Sequence, residues 1–80
     1  NGEIEYPPQT DMKVLELLIS KSPKVVSRDE IMDYVWGEDK NPNLRTVDNS
    51  IVRIKKLLGS KLEHAIRNIR GVGYQWIKED

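Results

Sequence analysis

The chain contains no cysteine, which removes a disulfide framework, a thiolate metal site and a cysteine nucleophile together. Its single histidine, His64, has no second ligand at metal spacing, so a surface or hairpin-base histidine is expected there, and no metal. No apolar run approaches the roughly 18 residues of a membrane span and no signal-peptide pattern opens the chain, so no membrane contact is expected of this segment. Glycine is sparse, and Gly71-Val72-Gly73 lacks the third glycine, the strand-to-helix context and the later acid of a dinucleotide fingerprint. Eighty residues bury only roughly 60–65% of the unfolded surface, which leaves room for one small core and none for a catalytic cleft with a lid. Without a nucleophile-base pair, neither an enzyme nor a cofactor is expected.

Net charge is also lacking, since thirteen Lys and Arg balance thirteen Asp and Glu. The balance conceals an asymmetry. Residues 44–78 hold eight basic side chains against Asp48 and Glu63, a net of +6, whereas residues 1–43 hold five basic against nine acidic, a net of −4. One part of the chain is suited to a polyanion and another is kept off it.

Along the chain, Glu3-Ile4-Glu5-Tyr6 before Pro7-Pro8 reads as a remnant strand and turn over 1–8. Met12, Val14, Leu15, Leu18 and Ile19 predict a first helix over 9–20, ended by Ser22-Pro23. Val25-Val26 is a short β-branched patch. Ser27-Arg28-Asp29-Glu30 is a capping box, in which Ser27 caps the Glu30 amide and Glu30 reaches back, opening a helix over 28–36. Ile31, Met32, Tyr34 and Val35 form its expected apolar stripe, and Gly37 supplies the left-handed residue after it. Asn43 is the expected N-cap of a third helix over 44–58, with Leu44, Val47, Ile51, Ile54, Leu57 and Leu58 inward. Residues 66–77 then read as a hairpin turned at Gly71 and Gly73, two positions free to take positive φ.

An α-helix fits the major groove of duplex DNA, where arginine pairs with guanine and asparagine with adenine. Asn49 and Arg53, on the outward stripe of the third helix, are the expected base readers. Arg45, Lys55 and Lys56 lie nearer the ends or flank, where cations position on phosphates. Arg67, Asn68 and Arg70 stand on a narrow ribbon that can enter the minor groove or bridge phosphates, and the Tyr74 hydroxyl is a further candidate phosphate donor. Val52 faces outward, where it either touches a thymine methyl or packs at the edge of the core. Trp36, Tyr34 and Trp76 are expected in the core, and Asp48 as the partner of a basic neighbour.

At Val25-Val26-Ser27-Arg28-Asp29-Glu30-Ile31, Val35-Trp36-Gly37, Arg45-Thr46-Val47-Asp48 and Ile69-Arg70-Gly71-Val72-Gly73-Tyr74 the chain resembles the OmpR/PhoB-type winged-helix DNA-binding domain of bacterial response regulators. Four motifs occur in the family's order, over about residues 4 to 77. The resemblance implies an α+β winged helix-turn-helix: three helices, a C-terminal hairpin wing and an N-terminal sheet that here looks truncated to its last strand. It also implies the cytoplasmic effector domain of a two-component transcriptional regulator. Such a domain binds promoter direct repeats, often as a head-to-tail pair, and touches RNA polymerase through the loop that here carries Glu38, Asp39, Lys40 and Asn41. The DNA-facing positions it implies are Arg45, Thr46, Ser50, Arg53, Lys55 and Lys56 on the helix, and Asn68, Arg70 and Tyr74 on the wing. The chain departs from the family at Val52, where many members have arginine, and at Pro7-Pro8-Gln9, which replaces a Leu-Thr-Pro helix start. The neutral total charge, the acidic first half and Val52 also fit a second expectation, a winged-helix module that binds protein rather than DNA.

Overall fold

The structure, a computed structural model, describes residues 9–37 and 43–77. The strand expected within 1–8 and the loop positions Glu38, Asp39, Lys40 and Asn41 lie outside the described residues. Helix α1 spans Gln9–Lys21, strand β1 Val25–Ser27, helix α2 Arg28–Val35 and helix α3 Leu44–Leu58. A single 3-10 turn at Glu63–Ala65 leads into β2, Ile66–Ile69, and β3, Gly73–Trp76. The three strands form one antiparallel sheet in the order β1-β3-β2, so the hairpin's second strand is the central one. This is a winged helix, with α2 and α3 as its helix pair and β2–β3 as its wing.

Val14, Leu18, Val26, Ile31, Val47, Ile51 and Ile54 are fully or almost fully buried where the three helices meet the sheet. Each such side chain contributes about 1.5–3 kcal/mol relative to an exposed position. The inward face of α1 differs from the one its spacing predicts: Leu17 is buried with Val14, Leu15 and Leu18, while Met12 and Ile19 are exposed. At helical spacing Met12 and Ile19 share one flank of the Val14-Leu15-Leu18 stripe and Leu17 lies on the other, so the helix is rolled toward the Leu17 side. Leu44 and Leu57, at the two ends of α3, extend past the core and are exposed. Tyr34 is exposed as well, so of the three expected core aromatics only Trp36 and Trp76 pack there.

Local chemistry fixes the helix starts. Ser27 Oγ accepts the Glu30 amide at 3.0 Å, and the Glu30 carboxylate, which the box would send back to Ser27, stands 4.0 Å from the Lys21 ammonium. On α3 a complete box forms between Asn43 and Thr46, each side chain accepting the other's amide at 3.2 Å. Gly37 at φ 60° and Gly59 at φ 80° end α2 and α3 in the left-handed region.

The two wing glycines do different work. Gly71 takes φ 78° in the turn, but Gly73 has no positive φ. Gly73 pairs with Ser27 of β1, and a Cβ there would sit 2.0 Å from the Val26 carbonyl oxygen. Glycine is required at 73 for close approach of two backbones, not for turn geometry. The base of the wing is fastened to the α1–β1 turn, where Ser22 Oγ donates to the Trp76 carbonyl and Gln75 Nε2 to the Pro23 carbonyl, both at 2.6 Å.

Candidate nucleic-acid interface

Helix α3 buries Val47, Ser50, Ile51 and Ile54 and leaves Arg45, Asn49, Val52 and Lys56 exposed. Steps of three and four place those four on one outward stripe. Lys55 lies off it, half-buried beside an open groove lined by Glu63, His64, Ile66, Arg67, Asn68 and Ile69. On the hairpin Arg67, Asn68 and Arg70 are exposed. Thr46 is half-buried and its hydroxyl accepts the Asn43 amide, so it sets the helix start. Val52 is 53% exposed, which removes the edge-of-core alternative for it.

Two expected contact residues are turned inward. Ser50 is fully buried and donates to Asp11 Oδ1 at 2.5 Å, because residue 50 falls on the stripe of α3 that packs on α1. Tyr74 is 4% exposed, and its hydroxyl donates to Asp48 Oδ1 at 2.6 Å. Its position in the central strand, opposite Val26, holds the ring against the core. Neither has a donor available to a ligand without rearrangement.

Arg53 holds a third inward bond. Its Nε donates to Asp11 Oδ2 at 2.7 Å and its Nη2 to Asp11 Oδ1 at 2.9 Å, a bidentate pair with a carboxylate that is itself 1% exposed. Burial pushes the Asp11 carboxyl up, but the hydrogen bonds from Arg53 and Ser50 and the Arg53 charge outweigh it and hold it below the ordinary value. The bond to Asp11 raises Arg53 in turn, against a smaller opposing effect of burial. With 48% of its side chain exposed, Arg53 is a cation clamped at the stem and open at the surface.

Sequence reasoning missed Asp11 and Arg28. The signal for Asp11 was an acid at a position where α1 should be apolar, three residues before Val14. Arg28 was read only as part of a cap, yet its Nε lies 3.2 Å from Asp48 Oδ1, the oxygen that also accepts Tyr74. Asp48 therefore ties the start of α2, helix α3 and the hairpin together. The described residues contain no metal-ligating cluster and no helix long and apolar enough to cross a membrane.

The sequence profile described as "Transcriptional regulatory protein, C terminal" matches residues 3–76. The phosphate regulon transcriptional regulatory protein PhoB of Rhizobium meliloti is 41% identical over 66 residues, 81% of this chain and 29% of that protein, so the chain spans under a third of this relative. The DNA-binding domain of the response regulator AdeR, solved in complex with an intercistronic region, superposes with a TM-score of 0.75 at 28% identity, covering 89% of this chain and 71% of that one. The Klebsiella pneumoniae RstA DNA-binding domain, solved with the RstA box, gives 0.72 at 27% identity, covering 94% and 76%. On a profile match across nearly its whole length and a shared winged-helix fold, the chain belongs to the transcriptional regulatory protein C-terminal family, the OmpR/PhoB-type domains.

Proposed function

We propose that this domain binds duplex DNA sequence-specifically, with α3 in the major groove and the β2–β3 hairpin as the wing, as the effector part of a bacterial two-component transcriptional regulator acting in the cytoplasm. The observation that carries this reading is the single outward stripe of Arg45, Asn49, Val52 and Lys56 beside a hairpin exposing Arg67, Asn68 and Arg70. Asn49 offers the bidentate amide that reads adenine, and Val52 an apolar surface for a thymine methyl. The cations supply the sequence-independent part of the affinity. DNA complexes of the AdeR and RstA domains support the same use of the fold. Binding as a head-to-tail pair on direct repeats, and contact with RNA polymerase through Glu38–Asn41, are further parts of this proposal that rest on the family resemblance.

Fluorescence anisotropy against a pool of random duplexes, titrated from roughly 50 to 200 mM salt, tests it: several phosphate contacts cost orders of magnitude in affinity over that range. The second reading is a protein-binding module, favoured by the exposed Val52 and the absence of net charge. A shallow salt slope, or no binding at low salt, would select it instead.

A further inference from the structure

The outward stripe of α3 carries one apolar residue among its polar ones: Val52, 53% exposed, stands between Asn49 one turn before it and Lys56 one turn after. Its polar neighbours are committed elsewhere. The Asp48 carboxylate is held by Arg28 at 3.2 Å and by Tyr74 at 2.6 Å, and Arg53 is held by Asp11, so neither side chain folds over the valine. We propose that Val52 reads the C5-methyl group of a pyrimidine in the major groove, and that a cytosine methylated at C5 therefore replaces thymine at its base pair. The inference rests on the DNA-binding reading and adds a chemical class of ligand to it, a methylated pyrimidine.

The valine side chain has no hydrogen-bonding atom, so it cannot tell the O4 acceptor of thymine from the N4 donor of cytosine. The methyl group is all that it can sense. Branching at Cβ restricts it to essentially one χ1 rotamer in a helix, so its two methyls are placed before DNA arrives and little side-chain freedom is lost on contact. Asn49 and Val52 lie three residues apart, about 4.5 Å along the helix axis, against about 3.4 Å between stacked base pairs. The two therefore meet neighbouring base pairs rather than one. That separation matters, because an Asn49 reading the adenine of the same pair would refuse the guanine opposite a methylated cytosine. Arg45 and Lys56, at the ends of the stripe, draw in phosphates and press the valine toward the groove floor without specifying a base.

The test uses the 80-residue chain and a duplex selected from the random pool. Each pyrimidine of the selected site is made in turn as thymine or uracil opposite adenine, and as cytosine or 5-methylcytosine opposite guanine. Anisotropy gives the affinities of the wild type and Val52→Ser, with thermal unfolding of both as the control for folding. At one position thymine and 5-methylcytosine should bind the wild type alike, with uracil and cytosine weaker by about fourfold, the worth of one buried methyl group. In Val52→Ser all four should bind alike there, at an unchanged salt slope. Uracil binding as well as thymine at every position, or 5-methylcytosine binding no better than cytosine, would overturn the methyl reading alone while steep salt-dependent binding stands. A uracil penalty that survives in Val52→Ser would overturn it too, by assigning the contact to another residue. A wild type without steep salt-dependent binding would overturn the methyl reading and the DNA-binding reading together.

Discussion

Arg53 of α3 grips the buried Asp11 of α1 through two hydrogen bonds, Nε to Oδ2 at 2.7 Å and Nη2 to Oδ1 at 2.9 Å. The pair spans 42 residues of sequence and fixes the roll of α3 against α1. Its cost lies in the burial of a carboxylate and its return in two charge-assisted bonds plus the Ser50 hydroxyl.

Removing the acid should destabilise the domain. Breaking a buried pair costs about 3–5 kcal/mol, but half of the Arg53 side chain already meets water, so Asp11→Ala should cost about 2 kcal/mol, read from the urea midpoint. The same pair predicts a pH dependence. Because the folded carboxyl titrates below its unfolded value of about 4, its contribution is complete at neutral pH and disappears as pH falls through the folded pKa. Wild-type stability should drop more steeply below about pH 4 than that of Asp11→Asn. Parallel acid profiles for the two proteins would show that the carboxylate contributes nothing.

The Tyr74 hydroxyl is pushed up to about 12, by burial first and then by its bond to the Asp48 carboxylate. Its folded pKa lies above the unfolded value of about 10, so the stabilisation is complete below pH 10 and lost as pH rises toward 12. An alkaline titration followed by tyrosinate absorbance should show one late step that Tyr74→Phe removes. The same variant should lose about 1–2 kcal/mol, because Asp48 keeps its Arg28 partner. If every tyrosine of the wild type ionised together near pH 10, the buried bond would be absent in solution.

Local chemistry was legible in the sequence and tertiary commitment was not. The spacing of Val47, Ile51 and Ile54 marked the α3 spine, the Ser27 and Asn43 caps marked two helix starts, and Gly71 marked the turn, since each signal acts within a few residues. The inward bonds of Ser50, Arg53 and Tyr74 were not legible, because their partners, Asp11 and Asp48, stand 26 to 42 residues away. Periodicity says that residue 50 shares a face with its neighbours at 47 and 54. It does not say that the facing helix carries a carboxylate there. Val25-Val26, too short to announce a strand, became one because β3 offered it a partner.

The two wing glycines should answer differently to a methyl group. Gly71→Ala imposes a left-handed conformation on alanine with open space around it, and about 1 kcal/mol is the expected loss. Gly73→Ala drives a Cβ into the Val26 carbonyl, so β1 must separate from β3, and a loss of about 3 kcal/mol is expected. Thermal unfolding of both variants decides it. Equal losses would mean that β1 and β3 do not approach as closely as the register requires.

The clamp on Arg53 also changes where base discrimination should reside. An arginine whose fork is partly spent on Asp11 has less freedom to align on a guanine edge, whereas Asn49 is exposed one turn earlier and its amide has both a donor and an acceptor. Asn49→Ala should therefore lose about 1–3 kcal/mol of discrimination at one base pair with the salt slope unchanged. Lys56→Ala should weaken every sequence evenly and flatten the slope by about one. Arg53→Ala should lower thermal stability along with affinity, because it leaves Asp11 buried without its cation. Anisotropy titrations of each variant against all single-base changes of the selected duplex separate these cases. A discrimination profile untouched by Asn49→Ala but erased by Arg53→Ala, at wild-type stability, would return the reading role to Arg53.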